Sequence, residues 1–308
     1  MSIMRVAVVG TCRLALLIAR EIHDSTSHQL VILSRISQPS LLSQGYQCQV
    51  VDYSNPSSIQ HALMGVDTVI STVSGNAQLQ LIEAAVACRV RRFAPAEFEG
   101  RPALRSQSIL DRGRNSALAR LHHYRNLIEY TVFVCGIFYE RFSVNGMVSQ
   151  QIGVNTGYSN EGDYIANPRS MTALAPVYDS SQNLAYLNLT SVYDVARFVV
   201  RALNMPSWPR EMSMSGDRMS VNQLIEVMQL CRGRQFYVEW QNPSGLQYQM
   251  TMAQMAGDAL KQRRLATLIE TAENRYDCAT PAYLNAAFPD IQPTSFSHWF
   301  QHNWATVP

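Results

Sequence analysis

Lysine is almost missing from this chain. Of its 25 basic residues one, Lys261, is a lysine and the rest are arginines. Net charge is low as well: 25 basic against 23 acidic residues leave +2, a field too weak to recruit nucleic acid. The six cysteines, Cys12, Cys48, Cys88, Cys135, Cys231 and Cys278, form no CxxC pair and no metal-ligand spacing. They read as free thiols in a reducing compartment, with no metal site. No apolar run approaches the roughly 18–20 residues of a membrane span. The opening MSIMRVAVVG has the pattern of a first strand and lacks that of a secretory leader. There is no GxSxG elbow for a serine nucleophile. His122 and His123 point about 100° apart on a helix, so they do not chelate together. These absences predict a cytoplasmic protein with neither a membrane nor a nucleic-acid partner. They leave its oligomeric state open.

What is present is an alternation of strands and helices. Arg5–Gly10 (RVAVVG), Gln29–Leu33, Cys48–Val51, Val66–Thr72, Arg92–Ala94 and Tyr130–Cys135 read as strands. Leu14–Ile22, Ser57–Met64, Gln78–Cys88 and Leu118–Arg125 read as helices between them, with Asn55-Pro56 as a start signal. The fold class this predicts is α/β: a Rossmann-type doubly wound parallel sheet, followed by a smaller C-terminal α+β lobe. The expected division is residues 1–150 for nucleotide and 151–308 for substrate. In the second part Gly146–Asp179 reads as loops and short strands. Ala185–Leu189 is a further strand, and Val192–Leu203 and Ser220–Leu230 are helices, the latter with Ser220 as N-cap.

The first strand runs directly into a helix, the place where a Rossmann fold seats a pyrophosphate on backbone amides. Of the usual three glycines only Gly10 stands in GTCRLAL, so the segment reads equally as a plain strand–helix turn. Arg13 adds a side chain that can reach a phosphate. The second strand ends in Ser34-Arg35, and no acidic residue lies between Ser25 and Tyr46. A carboxylate here would bond a ribose 2′-hydroxyl, whereas an arginine beside a hydroxyl suits a 2′-phosphate. The cofactor predicted is therefore NADP(H), with Gly10, Thr11, Cys12, Arg13, Leu14, Ser34 and Arg35 around it. Asp52 falls near the adenine edge. Thr72 and Val73, closing the fourth strand, fall near the nicotinamide ribose.

Four segments carry a resemblance. RRFAPAEFEG (91–100) resembles the (K/R)RFxPSEFG stretch of the NmrA-like and isoflavone-reductase-like atypical short-chain dehydrogenases. IEYTVFVCGIFYERF (128–142) resembles their IPYTxVxxGxF, and GVDTVIST (65–72) their GxDVVIS. TSVYDVARFVVRAL (190–203) is similar to a family helix opened by an aspartate. The likeness extends over about residues 5–142 and is greatest to fungal members, which often serve secondary-metabolite pathways. It implies an NADP(H)-dependent oxidoreductase acting on a small molecule. It also implies that Pro95, Ala96, Phe98, Gly136 and Phe138 lie beside nicotinamide and substrate.

One departure from that pattern bears on mechanism. Reductases of the family carry a lysine twelve residues before the isoleucine of IPYT, and here that position is Ser116. A serine cannot act as a charged proton donor at neutral pH. Arg112 and Arg120, one helical turn to either side, are candidates to stabilise an oxyanion. Tyr139 is a candidate acid if a cation lowers its pKa, and Glu97 and Glu140 are candidate bases. Alternatively the substrate needs no acid, as when an iminium carbon of an alkaloid-like molecule takes a hydride. Two further readings stay open: a cofactor-assisted cyclase coupling transient redox to a Diels–Alder-type ring closure, and a non-catalytic NADP(H) sensor. Tyr158, Tyr164, Tyr178, Trp208, Phe236 and Trp240 either line the substrate pocket or fill the core.

Overall fold

The computed structural model describes residues 3–105, 109–278 and 280–307, with the side chain of Asn155 left aside. The chain begins with β1 (Arg5–Val9), α1 (Arg13–Ser25), β2 (Gln29–Ser34), α2 (Pro39–Ser43), β3 (Cys48–Val50), α3 (Pro56–Leu63), β4 (Thr68–Ser71), α4 (Asn76–Ala87) and β5 (Arg92–Ala94). The β-branched runs of β1 and β4 form strands because they are covered on both faces, and Val6–Val9, β4 and β5 are buried throughout. The start signal of α3 works as read, since Asn55 Oδ1 accepts from Ser57 N at 3.0 Å and Ser58 N at 3.4 Å. Next come β6 (Phe98–Glu99), α5 (Arg114–His123), β7 (Glu129–Tyr130), β8 (Val132–Val134) and β9 (Ile137–Phe138). Strand order in the parallel sheet is β3-β2-β1-β4-β5-β7.

The apolar run Tyr130–Cys135, expected as one strand, is two. Tyr130 pairs with Phe93 of β5, whereas β8 belongs to a separate sheet. A continuous apolar run satisfies either partner, so its pattern carries no mark of the switch at Thr131.

The remaining elements are β10 (Ala166–Asn167), β11 (Thr172–Pro176), β12 (Tyr186–Thr190), α6 (Val192–Ala202), β13 (Glu211–Ser213), β14 (Asp217–Ser220), α7 (Val221–Arg232), β15 (Tyr237–Gln241), α8 (Pro243–Met255), α9 (Ala259–Ala272), α10 (Tyr283–Ala287) and α11 (Phe296–Trp304). They supply three-stranded sheets ordered β10-β11-β15, β14-β12-β9 and β13-β8-β6. Ser220 and Gln223 close a reciprocal capping box on α7. Among the described residues no helix is long and apolar enough to cross a membrane.

Two compact units result. The first is Met1–Phe98, Arg112–Val134 and Ala196–Met212; the second is Glu99–Asp111, Cys135–Val195 and Ser213–Pro308. The division is interleaved and has no single cut at residue 150. Ala196–Met212 returns to the first unit because the Arg92 guanidinium donates to Leu203 O at 3.0 Å and Pro206 O at 2.9 Å, while Trp208 packs edge-on against Phe133. Each unit has its own apolar core, the first around β1, β4 and β5, the second around β12, α7 and α11.

Candidate functional site

In a parallel sheet the strand C-termini share one edge. The C-terminal ends of β1, β2, β4 and β5 therefore carry Gly10, Ser34, Thr72 and Pro95 on that edge. The order reverses between β1 and β4, which makes this the switch point where open α/β sheets bind ligands.

The β1–α1 turn is tight. Gly10 has φ +109°, and a Cβ there would stand 2.3 Å from Thr72 Oγ1 and 3.5 Å from Val73 Cγ1. Thr72 is fixed by Val9 O, which accepts from its amide at 2.9 Å and from its hydroxyl at 2.8 Å. Gly10 thus serves close approach between two loops, a role that only a missing side chain can fill. Cys12 is the N-cap of α1 and makes no side-chain cap hydrogen bond. Thr11 and Cys12 are half-buried and Arg13 is exposed. The Leu14 side chain is buried in the core, leaving only its amide on the ligand side.

At the end of β2, Arg35 is exposed. The Ser34 hydroxyl accepts from Ile36 N at 3.3 Å and Gln38 Nε2 at 3.1 Å, so it shapes the turn that carries Arg35. Tyr53, not singled out from sequence, lies close enough to feel Arg35. Burial pushes its phenol up to about 12, the arginine pulls it partly back, and its hydroxyl has no hydrogen-bond partner. Asp52 is a turn residue: its carboxylate accepts from Ser54 N and Ser54 Oγ, which lowers its pKa.

Past β5, Pro95, Ala96, Glu97 and Phe98 are all buried. Gln78 was also missed. It sits with Leu81, Ile82 and Ala85 on the fully buried stripe of α4, a polar residue in an apolar row. Its Oε1 accepts from Ala96 N at 2.7 Å, and its Nε2 is buried without a partner. Phe98 stacks on Phe133 at 5.8 Å, so one face of its ring serves packing.

The catalytic candidates fare differently. Ser116 is exposed in the first turn of α5. Gly113, its N-cap, approaches Gly75 so closely that a Cβ would lie 3.3 Å from Gly75 Cα; α5 therefore begins beside the loop after β4. Arg112 is outside the helix, in a left-handed conformation at φ +52°, so it does not share a face with Ser116. Arg120 is engaged by Glu83, which also accepts from the Tyr124 hydroxyl at 2.7 Å, so it belongs to the α4–α5 packing.

Tyr139 is not an acid poised by a cation. It is fully buried, its hydroxyl donates to Thr294 O at 2.8 Å, and its ring packs on Phe296 and Trp299. Burial raises its pKa, and the nearby Asp217, Asp194 and Glu140 raise it further. Gly136 also departs from expectation. A Cβ there would stand 2.0 Å from Asn188 O, so the glycine serves the close passage of two backbones within the second unit. Phe138 is half-buried in β9, paired with Thr190. Of the aromatic residues, Tyr158, Tyr164, Trp208 and Phe236 are core, whereas Tyr178 and Trp240 are exposed.

Glu140 has a clear consequence for stability. Its carboxylate accepts from Val192 N at 3.2 Å at the start of α6, yet burial pushes its pKa from 4.5 up to about 7. The folded chain holds this proton where the unfolded chain has lost it. Its contribution is therefore greatest below pH 4.5 and declines as pH rises through 7. Glu140→Gln removes the titration. In urea unfolding, the variant is expected to gain on the parent by about 1–3 kcal/mol between pH 5 and 8. A constant difference across that range would show that Glu140 ionises without penalty.

Comparison with known proteins agrees with this architecture. The model of the NmrA-like family matches residues 5–262. The oxidoreductase BOA1 of Botryotinia fuckeliana (strain B05.10) is 26% identical over 316 residues, 96% of this chain and 98% of the relative. Among solved structures, AtPrR2 with NADP+ and (+)pinoresinol superposes with a TM-score of 0.72 at 18% identity, covering 98% of this chain and 99% of that one. The Citrobacter sp. triphenylmethane reductase complexed with NADP(H) does so with a TM-score of 0.69 at 16% identity, covering 97% and 99%.

Proposed function

The chain belongs to the NmrA-like family, and on that premise we propose that it is an NADP(H)-dependent oxidoreductase acting on a bulky, largely apolar small molecule. The observation that carries this reading is the β1–α1 turn: a glycine that admits no Cβ and a helix terminus without a side-chain cap, at the switch point of the sheet. The residues fit the cofactor. The first-turn amides of α1 would hold the pyrophosphate, with Arg13 at its edge. Arg35, free of any acidic neighbour on its turn, would hold the 2′-phosphate. Pro95 and Ala96, positioned by Gln78, would border the nicotinamide.

The proton inventory supports a finer reading. Ser116 cannot deliver a charged proton, Tyr139 is committed to Thr294 O, and Lys261 lies on α9 of the second unit. Bound at this edge, the cofactor would supply a hydride, and a substrate carbon that is already cationic, as in an iminium, accepts it with no accompanying proton. Two structural relatives are solved with NADP(H), and the names of their substrates, pinoresinol and triphenylmethane, denote polyaryl molecules. The likeness to a relative named as an oxidoreductase supports the redox part of this reading. Neither the cyclase nor the sensor reading has an observation of its own.

Calorimetric titration of nucleotide-stripped protein tests the proposal, with NADPH expected to bind selectively over NADH. Consumption of NADPH is then expected with a cyclic iminium and not with the matching ketone. Absence of binding by either nucleotide would end the oxidoreductase reading.

A further inference from the structure

The N-terminal edge of the parallel sheet, opposite the edge that bears Gly10 and Arg35, has an open cavity. Its volume is about 640 Å³. It lies where Arg89–Arg91 lead into β5, Arg125–Ile128 lead into β7, and Trp208–Arg210 form a third wall, all within the first unit. Arg89, Arg91, Arg125 and Arg210 line it, and buried Arg92 lies against the Trp208 ring at 5.2 Å.

The nearby carboxylates are already used. Asp67 takes Arg91 through two hydrogen bonds of 2.9 Å. Glu129 takes Arg92 Nε at 2.5 Å with one oxygen and Trp208 N at 2.6 Å with the other. Among the described residues no carboxylate pairs with Arg89, Arg125 or Arg210. Five guanidiniums against two carboxylates leave three positive charges here, more than the +2 of the whole chain. The excess is therefore local and does not reflect a generally basic surface.

The arginines are also placed. Arg89 occupies a left-handed position (φ +56°) just past α4, where glycine or asparagine is the usual choice. Arg210 is held over the Tyr130 ring at 4.1 Å, and Arg125 donates to His122 O at 3.2 Å. Leu127, 67% exposed, gives the cavity an apolar lip. Planar forks gathered in one cavity match phosphate oxygens, which accept two N–H bonds from one guanidinium. We propose that this cavity is an anion site for a small organic phosphate, separate from the cofactor edge, with the ester body resting on Leu127.

The test is calorimetric titration of the full chain with inorganic pyrophosphate at low salt, in saturating NADPH so that the α1 turn is already filled. One pyrophosphate per chain is expected. Binding should weaken at least tenfold in the exposed triple variant Arg89→Ser/Arg125→Ser/Arg210→Ser and stay unchanged in Arg35→Ala. The single variant Arg125→Ser, on an exposed turn, should weaken it about threefold and serves if the triple variant melts early. Absence of binding, binding that survives the three substitutions, or binding lost in Arg35→Ala instead would each overturn the proposal. The last of these leaves the cofactor reading intact, so the two can fail separately.

Discussion

Replacing Arg35 with alanine is expected to weaken NADPH binding about 10- to 100-fold while changing NADH binding less than about twofold. The range follows from the roughly 1.5–3 kcal/mol of a hydrogen bond to a charged group, at 1.4 kcal/mol per decade of affinity. The geometry makes the effect specific. Arg35 follows the last residue of β2, and the Ser34 hydroxyl is spent on the amide of Ile36 and on Gln38. The guanidinium is thus the one group of that pair left to tell the two nucleotides apart. Because Arg35 is exposed, its removal costs the fold little, and Tm should hold within a few degrees. An equal loss for both nucleotides would remove the 2′-phosphate assignment and leave Arg35 a general electrostatic contributor. A fall in Tm with no change in either affinity would place its role in the turn with Tyr53.

Legibility in the sequence followed burial. The central strands β1, β2 and β4 were readable because a strand covered on both faces carries a mainly apolar run, and such runs are conspicuous. Caps were readable where one side chain does the capping, as at Asn55 and Ser220. The start of α5 was not. It lies at Arg114, four residues ahead of the Leu118 expected, because Gly113 caps it by conformation and leaves no polar signature. The pairing of β9 with β12, far apart in sequence, likewise left no local pattern. In the candidate site, a residue defined by backbone geometry, such as Gly10 at the tight turn, stands out in the sequence. Residues defined by what surrounds them do not. Tyr139, a candidate acid only with a cation beside it and otherwise a packed aromatic, lies packed among Asp217, Asp194 and Glu140, since tertiary neighbours set a pKa and sequence neighbours do not. Gln78 and Tyr53 were overlooked, although a glutamine on the buried stripe of α4 breaks the apolar pattern visibly.

Ser116 in the place of the family lysine and the tight β1–α1 turn pull in one direction. On the proposed reading, a dinucleotide site with no lysine acid selects substrates by their own electrophilicity. The pH profile of turnover then separates this from ordinary carbonyl reduction. Reduction of a permanently charged iminium should be flat from about pH 6 to 9, whereas an enzyme-borne acid bends the curve at its pKa.

Gly136→Ala is expected to damage the fold severely. At φ +68° the residue sits where a Cβ is disfavoured, and that Cβ would approach Asn188 O at 2.0 Å and Asn188 C at 2.6 Å. Neither side can yield cheaply. Asn188 lies in β12, opposite Arg218 of β14, and the next residue, Leu189, is opposite Ile137 of β9. Its side-chain oxygen also accepts from Cys278 N at 2.8 Å. On the other side, Glu99 O accepts from Gly136 N at 3.3 Å. Strain of this kind costs about 3–5 kcal/mol, a large part of the 5–15 kcal/mol by which domains are stable. A Tm lowered by about 10 °C or more, or insoluble expression, is the expected result. The same substitution decides what the glycine is for. Were Gly136 there to let a ligand approach, the alanine variant would fold with parental Tm and lose affinity alone. Were it there for the close approach of its backbone to Asn188 of β12, stability falls first, and the ligand affinity of whatever remains folded is unchanged. The 2.0 Å clash with backbone, and not with a side chain that could rotate away, argues for the second outcome.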